Sequence, residues 1–332
     1  MRNTKLILIE GIPGSGKSTL AQFIAHTLAH QNIACQWWYE EENNHPLYVF
    51  HDQASLLRTI GDLSGGRYRE VMAAALEKWK TFAQKLQSSE TVAILDGCLF
   101  GYLTWSLFPL DIPAAEIQSY LSQIEQIILP THPCLIYLYQ QDTAQALEKI
   151  CARRGDATRS RLIAQATLTT YGQRRGLQGF DGMVTYWKDF RVLVEAAFSR
   201  FDASKLALEN SAGDWPAYEQ IVLNFLDLPT AEEAPVPLSY LERFAGTYFF
   251  ENNEGQQPCL VQIENDHLIV DGMPQVWQRT RLIPRARNEF AVASLPIQVI
   301  FEEDSNGVIS SMRASGPELL FGAVDCLFVR EV

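Results

Sequence analysis

From Lys5 to Asp227, short apolar runs of β type alternate with longer stretches of helical period. The runs are "KLILIEG", "ACQWWYEE", "TVAILDG", "PCLIYLYQ" and "KLALENS", and each later one follows a helical stretch, as a parallel sheet with crossover helices requires. Five such strands predict a doubly wound α/β domain over residues 1–228. The pattern then stops. "PTAEEAPVPL", residues 229–238, is proline-rich and acidic with little to bury, and reads as a linker. Beyond it, apolar runs such as "TYFFENNEG" and "CLVQIENDHLIVDG" are broken by Asn-Asp, Asp-Gly and Asn-Gly turn signals. They predict a smaller antiparallel, barrel-like β domain over residues 239–332. No internal repeat is found.

Composition agrees with two globular domains: 332 residues is long for one, and a chain that is 47% hydrophobic and 20% charged is not disordered. A net charge of -12 argues against nucleic acid or an anionic membrane as a partner, and leaves open a small anionic ligand where basic residues cluster. Cys35, Cys98, Cys134, Cys151, Cys259 and Cys326 show no CxxC pairing, and most lie in apolar runs, so they read as thiols in a reducing compartment. The apolar run before Glu10 is only about four residues, too short for a signal peptide core, and no stretch approaches the roughly 18 apolar residues of a membrane span. The expected location is the cytoplasm.

"LIEGIPGSGKST" carries the chemistry. Gly11, Gly16, Lys17 and Ser18 fit G-x-x-x-x-G-K-[ST] between an apolar strand and the helical run "STLAQFIAHTLAH". There, backbone N–H groups of Gly11, Gly14, Ser15, Gly16 and Thr19 and a helix N-terminus are placed to surround a polyphosphate. Lys17 is the group expected at the β- and γ-phosphates of ATP, and Ser18 at Mg²⁺. A dinucleotide fingerprint fits worse, since the third glycine is missing.

Around this motif the chain resembles a family. "GIPGSGKST" looks like the GxPGxGKxT loop of P-loop kinases of the adenylate kinase and thymidylate kinase type. "CLIYLYQQDTAQALEKICARRG" resembles the fourth strand and the helix leading into the arginine-bearing lid of that group, and "KLALENSAGDWPAYEQIVLNFL" its last strand, base-contacting loop and C-terminal helix. The resemblance covers residues 5–227. It implies that Asp96, closing "TVAILDG", holds Mg²⁺ or its waters or engages the acceptor; a strand-end Asp capping a turn is the alternative. Those kinases usually continue the acid with arginine, whereas here Gly97 and Cys98 follow. It also implies an acceptor base among the glutamates closing the second strand, Glu41 first and Glu40 next, although such a run is equally a solvated strand exit.

The segment from Cys151 to Gly176 concentrates arginines at 153, 154, 159, 161, 174 and 175, and Arg154 and Arg159 are the expected lid residues over the transferring phosphoryl group. A basic helix face paired with carboxylates is the plainer reading. The acceptor region should lie in the helical segments after the second and third strands, where His45, Arg67 and Tyr102 are candidate substrate contacts. The β domain leaves open packing on the kinase, a homodimer contact or a ligand site.

These features favour an ATP- and Mg²⁺-dependent kinase acting on a small-molecule phosphate acceptor, with a nucleoside or nucleotide ahead of another hydroxyl metabolite. The competing class is a regulatory NTPase with the β domain as effector arm. No guanine-reading N-K-x-D favours that alternative.

Overall fold

The computed structural model describes residues 3–230, 236–252, 255–320 and 322–331. The chain divides into two compact units, Met1–Glu40 with Asn44–Thr230, and Glu41–Asn43 with Ala231–Val332. Of the proline-rich stretch expected as a linker, Pro229 and Thr230 are exposed, residues 231–235 lie outside the described residues, and Leu238–Leu241 forms a short helix. Among the described residues no helix is long and apolar enough to cross a membrane.

The first unit is the expected doubly wound domain. Its strands β1 (Leu6–Glu10), β2 (Cys35–Trp38), β3 (Val92–Asp96), β4 (Cys134–Tyr139) and β5 (Ser204–Glu209) form one parallel sheet in the order β2-β3-β1-β4-β5. All five residues of β1 and of β3 are buried, as strands covered on both faces require, and this is why "LILIE" and "VAILD" show so little alternation. The helices are α1 (Lys17–His30), α2 (Gln53–Ser64), α3 (Tyr68–Gln87), α4 (Ala114–Ile128), α5 (Thr143–Arg154), α6 (Asp156–Thr167), α7 (Thr170–Arg174), α8 (Gly179–Arg200) and α9 (Trp215–Leu226). From β1 the chain passes to β2 on one side of the sheet, and from β3 to β4 on the other. The carboxyl ends of β1 and β3 therefore stand side by side at the point where the winding reverses, which is where open α/β sheets place ligands. One layer of the core, Ile7, Ile9, Leu20, Ile24, Leu28, Ile94, Ile136 and Val222, joins α1 and α9 to the sheet and fixes the start of α1 relative to both strand ends.

The second unit is a closed antiparallel barrel of eight strands, each paired with its sequence neighbour: β6 (Gly246–Asn252), β7 (Gly255–Glu264), β8 (His267–Asp271), β9 (Thr280–Ala286), β10 (Glu289–Val292), β11 (Gln298–Glu303), β12 (Ile309–Ser315) and β13 (Cys326–Arg330). The Asn-Asp turn signal is a two-residue hairpin loop: Asn265 and Asp266 both have positive φ, and Glu264 pairs with His267. Tyr248, Phe290, Phe301, Met312 and Phe328 are buried, and Phe244 packs on Phe290 and Phe301 with ring centroids 4.9 and 4.7 Å away. Closure rests on two residue pairs between β13 and β6, Val329 with Phe249 and Arg330 with Tyr248. The Arg330 guanidinium reinforces that seam by donating to the carbonyls of Arg243 (3.1 Å), Ile309 (3.2 Å) and Ala245. Gly246 makes room for it, since a Cβ there would lie 2.9 Å from Arg330 Nε. All six cysteines are free thiols, four of them buried.

Arg330→Ala leaves several carbonyls without their donor. It should destabilise the barrel by about 2 kcal/mol, read as a lower unfolding midpoint in scanning calorimetry of the full chain. An unchanged midpoint would mean that the strand pairing closes the barrel unaided.

Candidate active site

The turn between β1 and α1 ends in Gly16, which caps α1 in the left-handed conformation at φ 90°. A Cβ at Gly16 would lie 2.2 Å from the indole of Trp215, the first residue of α9, so only glycine allows that ring to lie against the turn. Asn210, just beyond β5, braces the same turn: its Nδ2 donates to the Ser15 carbonyl at 2.5 Å, and its own N–H donates to Tyr139 at 2.9 Å. Ser15 Oγ is buried with no hydrogen-bond partner.

Lys17 opens α1 and is buried, and its Nζ lies 3.7 Å from Glu40 Oε2. Burial opposes its charge, yet Glu40, Asp96 and Glu10 together outweigh burial and the nearby Arg154 and hold its pKa above the ordinary lysine value. Asp96, at the end of β3, is fully buried, and neither carboxylate oxygen makes a hydrogen bond of good geometry, although the Ser18 hydroxyl lies near enough to favour its charge. Burial first, then Glu40 and Glu10, push its pKa up to about 8, against the lowering effects of Lys17 and the Ser18 hydroxyl. An orphaned carboxyl of this kind, beside a lysine at a helix N-terminus, is the environment in which a cation or a phosphate completes the charge balance.

Glu10 is a member of this cluster that the sequence reading missed. It ends β1, is fully buried, and accepts from the backbone N–H of Leu99 at 2.6 Å and of Gly101 at 3.2 Å. Burial raises its pKa to about 7, against those amides and Lys17. The available signal was a glutamate closing an otherwise apolar run, directly before the first glycine of the motif. Gly97 also gains an explanation: its φ is +67°, and a Cβ there would lie 2.2 Å from Glu40 Oε2 and 2.9 Å from Lys17 Cε. The space into which a side chain at position 97 would project is filled by the Lys17–Glu40 pair.

The remaining candidates divide. Of the two glutamates offered as base, Glu40 faces Lys17, whereas Glu41 belongs with Glu42 and Asn43 to the second compact unit. Arg154, the last residue of α5, acts on Lys17. Arg159 is turned to the surface, where it pairs with Glu148 at 2.9 Å and lies over the Phe180 ring at 4.7 Å. Arg174 and Arg175 both pair with Asp111, at 3.0 and 2.9 Å. Arg67 precedes α3 and binds Asp62 in an exposed ion pair.

Tyr102 is buried, packed 4.6 Å from Trp105 between ring centroids, with its hydroxyl lacking a partner. His45, offered as a substrate contact, is held within the fold by its neighbours. It is buried, stacks on Tyr48 at 4.4 Å, and accepts from the Leu47 N–H through Nδ1 at 3.3 Å. That assignment puts its proton on Nε2, which faces Cys98 Sγ at 3.3 Å, and Cys98 in turn donates to the Asp96 carbonyl at 3.3 Å. A neutral relay thus ties the Asp96 turn to the segment that follows β2.

A family profile for the N-terminal region of nephrocystin 3 matches residues 1–98. No curated protein sequence matches the chain. Among solved structures, the deoxyadenosine kinase of M. mycoides with bound dATP is 14% identical, over 67% of this chain and 99% of its own, with a TM-score of 0.39. The thymidylate kinase of Candida albicans is 16% identical over 68% of this chain and 92% of its own, with a TM-score of 0.39. The YorR protein of Bacillus subtilis, in complex with phosphorylated GDP, is 11% identical over 67% and 95%, with a TM-score of 0.35. Likeness this distant says nothing about residue roles, which rest on the geometry above.

Burial pushes the His45 pKa down to about 3, whereas an unfolded histidine titrates near 6.5. The unfolded chain therefore binds the extra proton between those values. The stability that neutral His45 provides should be complete above about pH 6.5 and lost toward pH 3, by at most about 5 kcal/mol. Urea midpoints measured against pH should fall less steeply below pH 6.5 in His45→Gln than in the parent. Parallel curves would mean that His45 is not held neutral by burial.

Proposed function

We propose that the first unit is an ATP- and Mg²⁺-dependent phosphotransferase acting on a hydroxyl-bearing small molecule. The observation that carries this reading is the buried Lys17 at the start of α1, facing Glu40 and set beside an Asp96 carboxyl whose oxygens lack partners. The glycine-rich turn supplies amides for the phosphates, Lys17 reaches the β- and γ-phosphates, and Ser18 and Asp96 are the residues that would hold Mg²⁺. When bound, the ion neutralises charge developing on the phosphoryl oxygens. Arg154 adds positive charge on the same side.

We take Glu40, rather than Glu41, as the group that would accept the acceptor proton, since it faces Lys17. Its side chain is one-third exposed, and the Tyr48 hydroxyl fixes its backbone by donating to the Glu40 carbonyl. Phosphate engagement draws Lys17 toward the triphosphate, which releases the Glu40 carboxylate for the acceptor hydroxyl. The acceptor side lacks the arginine that would follow Asp96 in similar kinases, and Arg67, Arg159, Arg174 and Arg175 are each paired with a carboxylate of this chain. Those pairings support an acceptor without a phosphate, a nucleoside in preference to a nucleotide, with other hydroxyl metabolites next.

The test is a phosphotransfer screen with ATP against matched nucleosides, nucleotides and hydroxyl metabolites. Once an acceptor is found, Lys17→Ala should reduce turnover at least about 1,000-fold. Unchanged turnover would overturn the reading.

Asp96→Asn keeps the side chain's shape and removes a carboxyl whose ionisation burial, Glu40 and Glu10 all oppose. It should leave the melting temperature unchanged or higher while lowering kcat by roughly 100-fold or more. A lower melting temperature with full turnover per folded molecule would make Asp96 a turn cap instead.

A further inference from the structure

The face of α1 turned away from the core carries a second arrangement of ligating atoms. Leu20, Ala21, Ile24 and Leu28 are buried against the sheet and fix the rotation of the helix. His26 and His30, one turn apart on the other side, bring their Nε2 atoms to 3.1 Å, with ring centroids 4.3 Å apart and planes inclined at 60°. We propose that these two histidines form a chelating site for a divalent transition metal of the zinc, nickel or copper class.

The distance carries the argument. A metal–imidazole bond is about 2.0–2.1 Å long, so two imidazoles in adjacent positions of an octahedral or tetrahedral ion stand about 2.9–3.4 Å apart, nitrogen to nitrogen. The pair already meets that bite, and histidines at i and i+4 are a known way for a helix to present two metal ligands on one face. Without metal, one Nε2–H donates to the other Nε2. With metal, both rings carry their proton on Nδ1 and offer Nε2 lone pairs, so the donor ring only changes tautomer and no net proton is lost. Neutral imidazole suits zinc, nickel and copper and not magnesium, so this site would not compete for the ion expected beside Asp96.

Among the described residues no group of three or more histidine, cysteine, aspartate or glutamate side chains is arranged to hold a metal ion. Water therefore completes the coordination, and the affinity falls well below that of a four-ligand structural zinc site. Because α1 begins at Lys17, a metal gripping its last two turns stabilises the helix that presents the phosphate-binding residues.

The test uses the full chain, freed of metal with a chelator and titrated calorimetrically with Zn²⁺ or Ni²⁺, with Cu²⁺ followed in parallel by electron paramagnetic resonance. Saturable binding of one ion per chain is expected, with nitrogen hyperfine structure from two imidazoles. His26→Ala and His30→Ala should each weaken it at least about tenfold. Zn²⁺ should raise the melting temperature of the parent but not of the double variant, whose circular dichroism should be unchanged because both side chains lie off the core. Absence of saturable binding to the parent, or undiminished binding to the double variant, would overturn the proposal, the second result placing the ion on other side chains.

Discussion

One buried ammonium among three carboxyl groups is the constraint around which the first unit is organised. Lys17 cannot be buried unless negative charge lies near it, and Glu10, Glu40 and Asp96 provide more than it can neutralise. Burial drives the pKa values of Asp96 and Glu10 up to about 8 and about 7, with Glu40 and Glu10 adding to the rise at Asp96. Buried carboxyls detract from stability, so their assembly at the carboxyl ends of β1 and β3 is the kind of cost that a functional site, under the reading proposed above, would account for. The surrounding backbone serves the same arrangement. Leu99 and Gly101 donate to Glu10, the Cys98–His45 relay reaches the Asp96 carbonyl, and Gly97 has no side chain because the Lys17–Glu40 pair lies where one would go.

The alternation of runs was sufficient to read all five parallel strands, because strands buried on both faces must be continuously apolar and the helices between them must be long enough to cross over. The G-x-x-x-x-G-K-[ST] spacing located the glycine-rich turn before α1, and the run pattern placed Asp96 at a strand end. The barrel was legible from its turn residues, with Asn265-Asp266 the clearest case, since two successive positive φ angles admit few residue types. Its closure was not legible. Nothing local to Arg330 announces that its guanidinium binds carbonyls of residues 243, 245 and 309, because those partners are distant in sequence.

The same limit explains why pattern reading could not see the surroundings of several candidate residues. Glu10 looks like the polar exit of a strand, and only the return of the chain at residues 99–101 turns it into a buried acceptor of backbone hydrogen bonds. β2 ends at Trp38, before all three glutamates, so nothing in the run tells which of them faces Lys17, and it is Glu40 that does while Glu41 belongs to the other unit. Arg159 was read from a cluster of positive charge, but Glu148, on the preceding helix, claims it. His45 sits in a polar stretch, "EENNHP", that gives no hint of the aromatic packing around it.

The central claim is that this charge cluster is a site for a nucleoside triphosphate and its magnesium ion. Calorimetric titration of ATP into the full chain, with and without Mg²⁺, tests it most directly. The account predicts saturable one-to-one binding that strengthens with Mg²⁺ in the parent and loses that dependence when Asp96 is replaced by Asn. Absence of ATP binding, or binding indifferent to both Mg²⁺ and Asp96, would contradict it.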